Sequence, residues 1–242
     1  MSAAPGLRSI RYIAGMNESG KYQVDWQQIQ TILLDMDGTL LDLAFDNYFW
    51  RELVPRCLAR IRKTDPGRAR ADLFERYAAM HGRLDWYCLD YWSEELDLDL
   101  PALKSASSHR IRFLPGAHEF LARLAGRNRR MVLVTNAHGV ALNVKKDVAG
   151  LGRYLTEFVS SHELGFAKEH AEFWPILQDR LGFDPASTLF VDDSVPVLDA
   201  AAAFGLGATV AVTRPDTRLP DNRAGGHPGV RRIVRLLEVS PI

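Results

Sequence analysis

Apolar and polar positions alternate in blocks along this chain. Thr31-Ile32-Leu33-Leu34 begins a series of short apolar or β-rich runs that continues with Met131 to Thr135, Phe158 to Ser160, Thr188 to Val191 and Thr209 to Val212. Runs of this length and composition suit strands buried on both faces of a sheet. Helix-length segments lie between them. Pro115-Gly116 opens one with Phe120, Leu121 and Leu124 on a single face, and Asn143 to Val148, Phe173 to Leu181 and Pro196 to Phe204 supply others. Pro175 falls inside the third, so that helix is expected to kink or to start late. Strands alternating with helices predict an α/β fold with a parallel sheet and right-handed crossovers.

One interval breaks the alternation. From about Leu43 to Arg112 there is no strand candidate, and helical periodicity dominates. Trp50, Leu53, Cys57 and Ile61 form one stripe, while Leu73, Phe74, Tyr77 and Met80 form another. This segment reads as a helical insertion that leaves the sheet after the first strand and returns before the second, so it would cover whatever lies at that edge. Such a lid excludes water and selects substrates. Residues before about Asp25 mix Gly, Ser, Asn and charge without a period and read as a flexible arm.

Composition narrows the classes. The 242 residues suffice for one α/β core with a sizeable insertion. Thirty basic residues balance thirty acidic ones, which argues against diffuse binding to nucleic acid or an anionic membrane. No apolar run approaches bilayer length and the first residues lack signal-peptide character, so a cytoplasmic location is expected. Cys57 and Cys88 have neither metal-type nor redox-type spacing and read as small core residues of a protein in a reducing compartment.

The chemistry collects where apolar runs end. After Leu34 come Asp35 and Asp37, which alternate onto one face of an extended segment, followed by Gly38 and Thr39 where the backbone must depart sharply. Open parallel sheets bind their ligands at that strand end. A second run delivers Thr135 and Asn136, which in isolation read more readily as a turn capping the next helix. Lys168 follows Gly165-Phe166-Ala167, and a further apolar run delivers Asp192 and Asp193, where Asp193 or Ser194 could instead cap the helix beginning near Pro196. Carboxylates, a hydroxyl and an ammonium at one sheet edge suit phosphoryl transfer. A phosphate monoester dianion nearing Asp35 and Asp193 is repelled unless Lys168 and a divalent cation offset the charge, and an all-oxygen donor set favours magnesium. Asp35 is then placed to attack phosphorus, Asp37 to protonate the leaving alkoxide and later to accept a proton from water, and Thr135, Asn136 and Lys168 to hold phosphoryl oxygens.

These motifs in this order, Asp35-Met36-Asp37-Gly38-Thr39, Thr135-Asn136, Lys168 and Asp192-Asp193, resemble the haloacid dehalogenase (HAD) superfamily. The resemblance implies a Rossmann-like core with helices on both faces of a parallel sheet and a small helical cap after the first motif. On that pattern the core takes residues 26–42 and 113–242, the cap 43–112 and the arm 1–25. It further implies that Asp35 is the nucleophile and Asp37 the general acid and base. Magnesium would be bound by Asp35, by the backbone carbonyl of Asp37 and by Asp193, with Asp192 binding it directly or through water. From about Trp26 onward the runs Leu33 to Trp50 and Trp86 to Trp92, with Thr135-Asn136-Ala137-His138, are similar to bacterial purine 5'-nucleotidases acting on GMP and IMP.

The aromatic clusters Tyr48-Phe49-Trp50 and Trp86-Tyr87 with Tyr91-Trp92 can serve helix packing or purine stacking. Packing is expected for most of them, with Asp46, Asn47 or Trp86 lining the pocket. His138 and His170 lack a metal-type spacing. Two other readings use the same residues. One is a sugar phosphatase or phosphomutase on the same scaffold. The other is a phosphate-sensing, receiver-like module, against which stand the helical insertion and Asp37, a group that would destroy a long-lived acyl phosphate. A dehalogenase is disfavoured because carbon-centred displacement does not need the proton donor Asp37.

Overall fold

The computed structural model describes residues 14–16, 22–127 and 129–237. Its centre is a parallel six-stranded sheet. Ala14–Met16 (β1) and Tyr22–Val24 (β2) pair antiparallel ahead of it. The sheet itself comprises Thr31–Leu34 (β3), Arg130–Thr135 (β4), Glu157–Ser160 (β5), Thr188–Asp192 (β6), Ala208–Val212 (β7) and Gly229–Val230 (β8), in the order β5-β4-β3-β6-β7-β8. The strand carrying Asp35 is therefore central, flanked by β4 and β6, and Asp35 N–H donates to Val191 O at 3.0 Å. Sequence order reverses on either side of β3, so the edge beyond its carboxyl end is a topological switch point, where open sheets bind ligands.

Alternation along the strands feeds two cores. Ile32, Leu34, Leu133, Leu189 and Val191 pack with Phe120, Leu121 and Leu124 of α6 (Ala117–Leu124) and with Ile233–Leu237. Leu33, Val132, Val134 and Phe190 pack on the other face against Phe173–Leu181 (α8) and Val195–Phe204 (α9). Pro175 lies in the first turn of α8, where its missing N–H leaves no helical bond unmade, so the helix starts without the anticipated delay. The helix expected at Asn143 starts earlier, at Gly139, and runs to Ala149 (α7).

Within the insertion, Ala44–Tyr48 (α1) buries Phe45 in the first core, while Val54–Arg62 (α2), Pro66–Met80 (α3), Leu89–Leu96 (α4) and Leu100–Ser107 (α5) enclose a third core. The chain leaves and returns side by side. Leu114 N–H donates to Leu40 O and Asp42 N–H to Arg112 O, both at 2.9 Å. One stripe differs from expectation: Ile61 is 54% exposed and Cys57 only half-buried, while Phe45, Phe49, Val54 and Leu58 are buried. The cause is a π-helical turn over Phe49–Leu53, whose wider winding inserts a five-residue step into the stripe between Phe49 and Val54. Of the stripe Leu73, Phe74, Tyr77 and Met80, all but Phe74 pack into the insertion core, and Phe74 is half-buried and lines the cavity instead.

Of the arm expected over residues 1–25, residues 1–13 and 17–21 lie outside the described residues. The rest departs from expectation, because β1 and β2 pair and Val24 is buried in the main core. Val24 leads into Trp26, whose indole N–H donates to Leu236 O at 3.0 Å. β8 was not anticipated, being too short to carry a pattern. Among the described residues no helix is long and apolar enough to cross a membrane.

Candidate active site

The four sequence motifs converge at the carboxyl edge of β3, β4 and β6. Lys168 is the hub. Its ammonium donates to Asp35 Oδ1 at 2.5 Å, to Asp192 Oδ2 at 2.7 Å and to Val134 O at 3.1 Å. Its own N–H donates to Asn136 Oδ1 at 2.9 Å, and its carbonyl accepts from the Trp174 indole at 3.0 Å. Asn136 thus shapes the loop that delivers Lys168, while Thr135 Oγ1 accepts from Ala137 N–H at 3.0 Å and keeps its hydroxyl proton for another acceptor. Neither residue caps α7, whose N-cap is His138.

Asp35, Asp192 and Asp193 each offer an oxygen, and the three oxygens lie within 4.8 Å of one another. At that spacing each pair of carboxylates repels by roughly 3 kcal/mol for an effective dielectric of about 20. One lysine cannot neutralise three such charges. Asp35 Oδ2 is also buried without a hydrogen-bond partner among the described residues. An all-oxygen donor set, an excess of negative charge and an orphaned carboxylate oxygen fit a hard divalent cation such as magnesium. Gly38 makes the cluster possible: it adopts φ +89°, and a Cβ there would lie 2.6 Å from Asp193 Cγ.

Burial pushes Asp35 up to about 6, with Asp192 adding to the rise and Lys168 opposing it. Burial, with Asp192 and Asp35 beside it, raises Asp193 well above the ordinary carboxylate range. Lys168 is raised; burial opposes this, but Asp192 and Asp35 outweigh it.

Asp37 turns to different company. Its Oδ2 meets Lys145 Nζ at 2.6 Å, and its Oδ1 is buried with no partner among the described residues. Burial pushes this carboxyl up to about 7, against the pull of Lys145. Beyond the sheet edge a cavity of about 570 Å³ runs from Asp35 and Lys168 to Trp50, Phe74, Tyr77 and Trp86 of the insertion.

A family model of haloacid dehalogenase-like hydrolases matches residues 29–205, the span holding every residue of this constellation. The chain belongs to the haloacid dehalogenase-like hydrolases. Among curated members, the GMP/IMP nucleotidase YrfG of Escherichia coli (strain K12) is 39% identical over 214 residues, covering 88% of this chain and 96% of that protein. The solved HAD phosphatase from Thermococcus onnurineus superposes with a TM-score of 0.75 at 20% identity, over 87% of this chain and 97% of that one. The L-2-haloacid dehalogenase from Xanthobacter autotrophicus gives 0.59 at 20% identity, over 86% and 96%. At such identities the two structures speak for the HAD fold alone.

Within this HAD site the residues expected to read substrate have varied surroundings. Asp46, Asn47 and Trp86 all border the cavity. Asp46 Oδ1 accepts from Lys104 and its Oδ2 from Lys145, both at 2.7 Å, and the Asn47 amide donates to Asp216 at 2.9 Å. Burial works against the Asp46 anion, yet Lys104 and Lys145 hold its carboxyl far below the usual range. Trp86 meets Tyr87 and His81 edge-on at 4.7 and 5.3 Å between ring centres. His170 reaches Gly82 O at 2.7 Å, and His138 lies 3.7 Å from Asp90.

Sequence reasoning passed over Lys145, Lys104 and Glu169. A signal for the lysines was present, because Lys145 repeats the buried face of Ala141 and Leu142, and Lys104 that of Leu100 and Ser107. Glu169 had none: it accepts from Asn136 and from the Tyr87 hydroxyl, each at 2.9 Å, a pairing created only by the tertiary fold.

Proposed function

We propose that this HAD hydrolase is a magnesium-dependent phosphomonoesterase, a 5'-nucleotidase that dephosphorylates purine nucleoside monophosphates such as GMP and IMP through an aspartyl phosphate. The observation that carries the reading is the pair Asp35 and Asp37. Both border one cavity together with Lys168 and Thr135, and each keeps one buried carboxylate oxygen without a partner among the described residues. The 39% identity to a GMP/IMP nucleotidase over nearly the whole of both chains supports the substrate class.

Asp35 Oδ2 attacks phosphorus while the ester P–O bond breaks, and the proton on Asp37 passes to the departing 5'-oxygen. Asp37 then takes a proton from the water that attacks the aspartyl phosphate, releasing phosphate and restoring both carboxyl groups. A carboxyl near pKa 7 suits both duties at neutral pH. Lys168 holds Asp35 in place and offsets charge on the transferring group, and the Thr135 hydroxyl donates to a phosphoryl oxygen. Asp35, Asp193 and the Asp37 backbone carbonyl would hold magnesium, with Asp192 binding it directly or through water. When bound, the cation supplies the positive charge this donor set lacks and draws electron density from the phosphoryl oxygens. Residues 43–112 act as the cap, closing the cavity and presenting Trp50, Tyr77 and Trp86 to the nucleoside, while 26–42 and 113–242 form the core.

The test is a panel of nucleoside monophosphates and sugar phosphates assayed for phosphate release with magnesium. GMP and IMP are expected to lead. Release from sugar phosphates alone would overturn the nucleotide assignment, and no release from any ester would overturn the phosphatase reading.

A further inference from the structure

We infer that Lys145 is a positioning residue for the general acid: it fixes the carboxyl of Asp37 so that the free oxygen faces the leaving group, and the helical insertion holds Lys145 in place through Asp46. This rests on the phosphomonoesterase reading above.

Two partly buried aspartates and two buried lysines stand in a row of alternating sign, Asp37, Lys145, Asp46 and Lys104. Lys145 Nζ lies 2.6 Å from Asp37 Oδ2 and 2.7 Å from Asp46 Oδ2, and Lys104 Nζ lies 2.7 Å from Asp46 Oδ1. The side chains of Lys145 and Lys104 are only 2% and 3% exposed. With Asp37 ionised the row sums to zero charge, and with the proton on Asp37 one positive charge remains.

Its ends differ. Lys104 closes the row against an aromatic wall, 4.5 Å from the centre of the Phe49 ring. Asp37 ends it at the border of the cavity, where its second oxygen, Oδ1, is buried and has no partner among the described residues. A carboxyl held by one oxygen cannot turn about its terminal bond without breaking that contact, so Lys145 selects Oδ1 as the atom that carries the proton. Lys145 comes from α7 in the core, whereas Asp46 and Lys104 come from α1 and α5 of the insertion. The aim of the acid is therefore completed by a segment outside the sheet. Purely structural ion pairs would give no reason for the row to end at the border of the cavity on a carboxyl with one oxygen left without a partner among the described residues.

The experiment compares kcat/KM for IMP with kcat/KM for 4-nitrophenyl phosphate in wild-type enzyme, Lys145→Met and Asp46→Asn. This parameter reports the chemistry only up to departure of the leaving group. The nucleoside 5'-alkoxide needs a proton to leave; 4-nitrophenolate does not. Positioned acids contribute about 10²- to 10⁴-fold, so Lys145→Met is expected to lose ~10²-fold on IMP and less than about threefold on the aryl ester. Asp46→Asn alters a residue that borders the cavity; it should show the same selectivity at ~10-fold, and should also lose more on phenyl phosphate than on 4-nitrophenyl phosphate, two esters with no nucleoside for it to contact. The ratio of the two substrates within one sample is independent of the fraction folded, so a destabilised variant still reports, and Asp46→Asn carries the test if Lys145→Met does not fold. Equal loss on both substrates, or loss on neither, overturns the positioning role and leaves the phosphatase reading standing. A wild-type enzyme that releases phosphate from neither ester overturns both.

Discussion

Asp35 and Asp37 stand two residues apart, yet different parts of the molecule hold them. Lys168, Asp192 and Asp193, which gather around Asp35, come from the end of β6 and from loops at the carboxyl edge of the sheet. Asp37 borrows: its partner Lys145 is anchored by Asp46, and Asp46 by Lys104, both in the helical insertion. The proposed nucleophile is thus surrounded by the core alone, and the proposed acid by the core and insertion together. An arrangement of this kind ties proton delivery to a closed cavity, where a displaced alkoxide would otherwise meet water.

The largest effect expected is at the nucleophile. Asp35→Asn should lower phosphate release from every ester by at least ~10³-fold, because removing a covalent nucleophile forfeits most of the rate enhancement whatever else stays in place. Circular dichroism should show the fold intact. Near-normal turnover in the folded variant would take Asp35 out of that role and erase the first half of the comparison. Asp37→Asn should cost about 10²- to 10³-fold in kcat/KM on GMP or IMP and far less on aryl phosphates. A loss equal for both leaving groups would mean that Asp37 is not the proton donor.

Metal binding separates the two regions without any turnover. Magnesium that binds only the native state raises the unfolding temperature, by the equivalent of about 2.7 kcal/mol at a hundred times its dissociation constant. Asp193→Asn should abolish that rise and Asp46→Asn should keep it, since Asp46 belongs to the acid's surroundings. The effect depends on pH with a definite sign. Burial raises Asp35 from 3.8 to about 6 in the folded protein, so its contribution to stability is full below pH 4 and is lost as pH rises through 6. A cation prefers the ionised carboxylate, so the magnesium-induced rise in Tm should be larger at pH 8 than at pH 5. Equal rises at both pH values would place the cation away from Asp35.

The same division separates what could be read in the sequence from what could not. The edge of β3, β4 and β6 was legible because each motif terminates an apolar run, and a parallel sheet gathers such ends at one rim. Lys168 needed company to be noticed, and the neighbouring motifs supplied it. The insertion was legible as helices, but not in phase: the π-turn at Phe49–Leu53 leaves no mark in composition, so Ile61 was assigned to a buried face that it does not occupy. Lys145 and Lys104 lie on apolar stripes, where a lysine looks like the edge of a solvated face until its anionic partners, distant in sequence, are seen beside it. Asp46 was picked out as a residue of the cavity, while its two lysine partners came only with the tertiary structure.

The smallest effect expected is the sharpest check on the claim that the nucleophile's surroundings are complete without the insertion. One thread does run from the insertion toward Lys168: the Tyr87 hydroxyl donates to Glu169, Glu169 accepts from the Asn136 amide, and Asn136 Oδ1 accepts from the Lys168 N–H. It ends on the backbone of Lys168, whereas the ammonium is held separately by Asp35, Asp192 and Val134 O. Tyr87→Phe removes one hydrogen bond, worth about 1 kcal/mol, and leaves Glu169 its bond to Asn136. If that energy serves to hold the insertion over a bound nucleotide, KM for IMP should rise by up to ~5-fold. Turnover at saturation, and kcat/KM for 4-nitrophenyl phosphate, should stay within about twofold of wild type. A fall in kcat on both esters would mean that the thread reaches the ammonium after all, and that the insertion prepares the nucleophile as well as the acid.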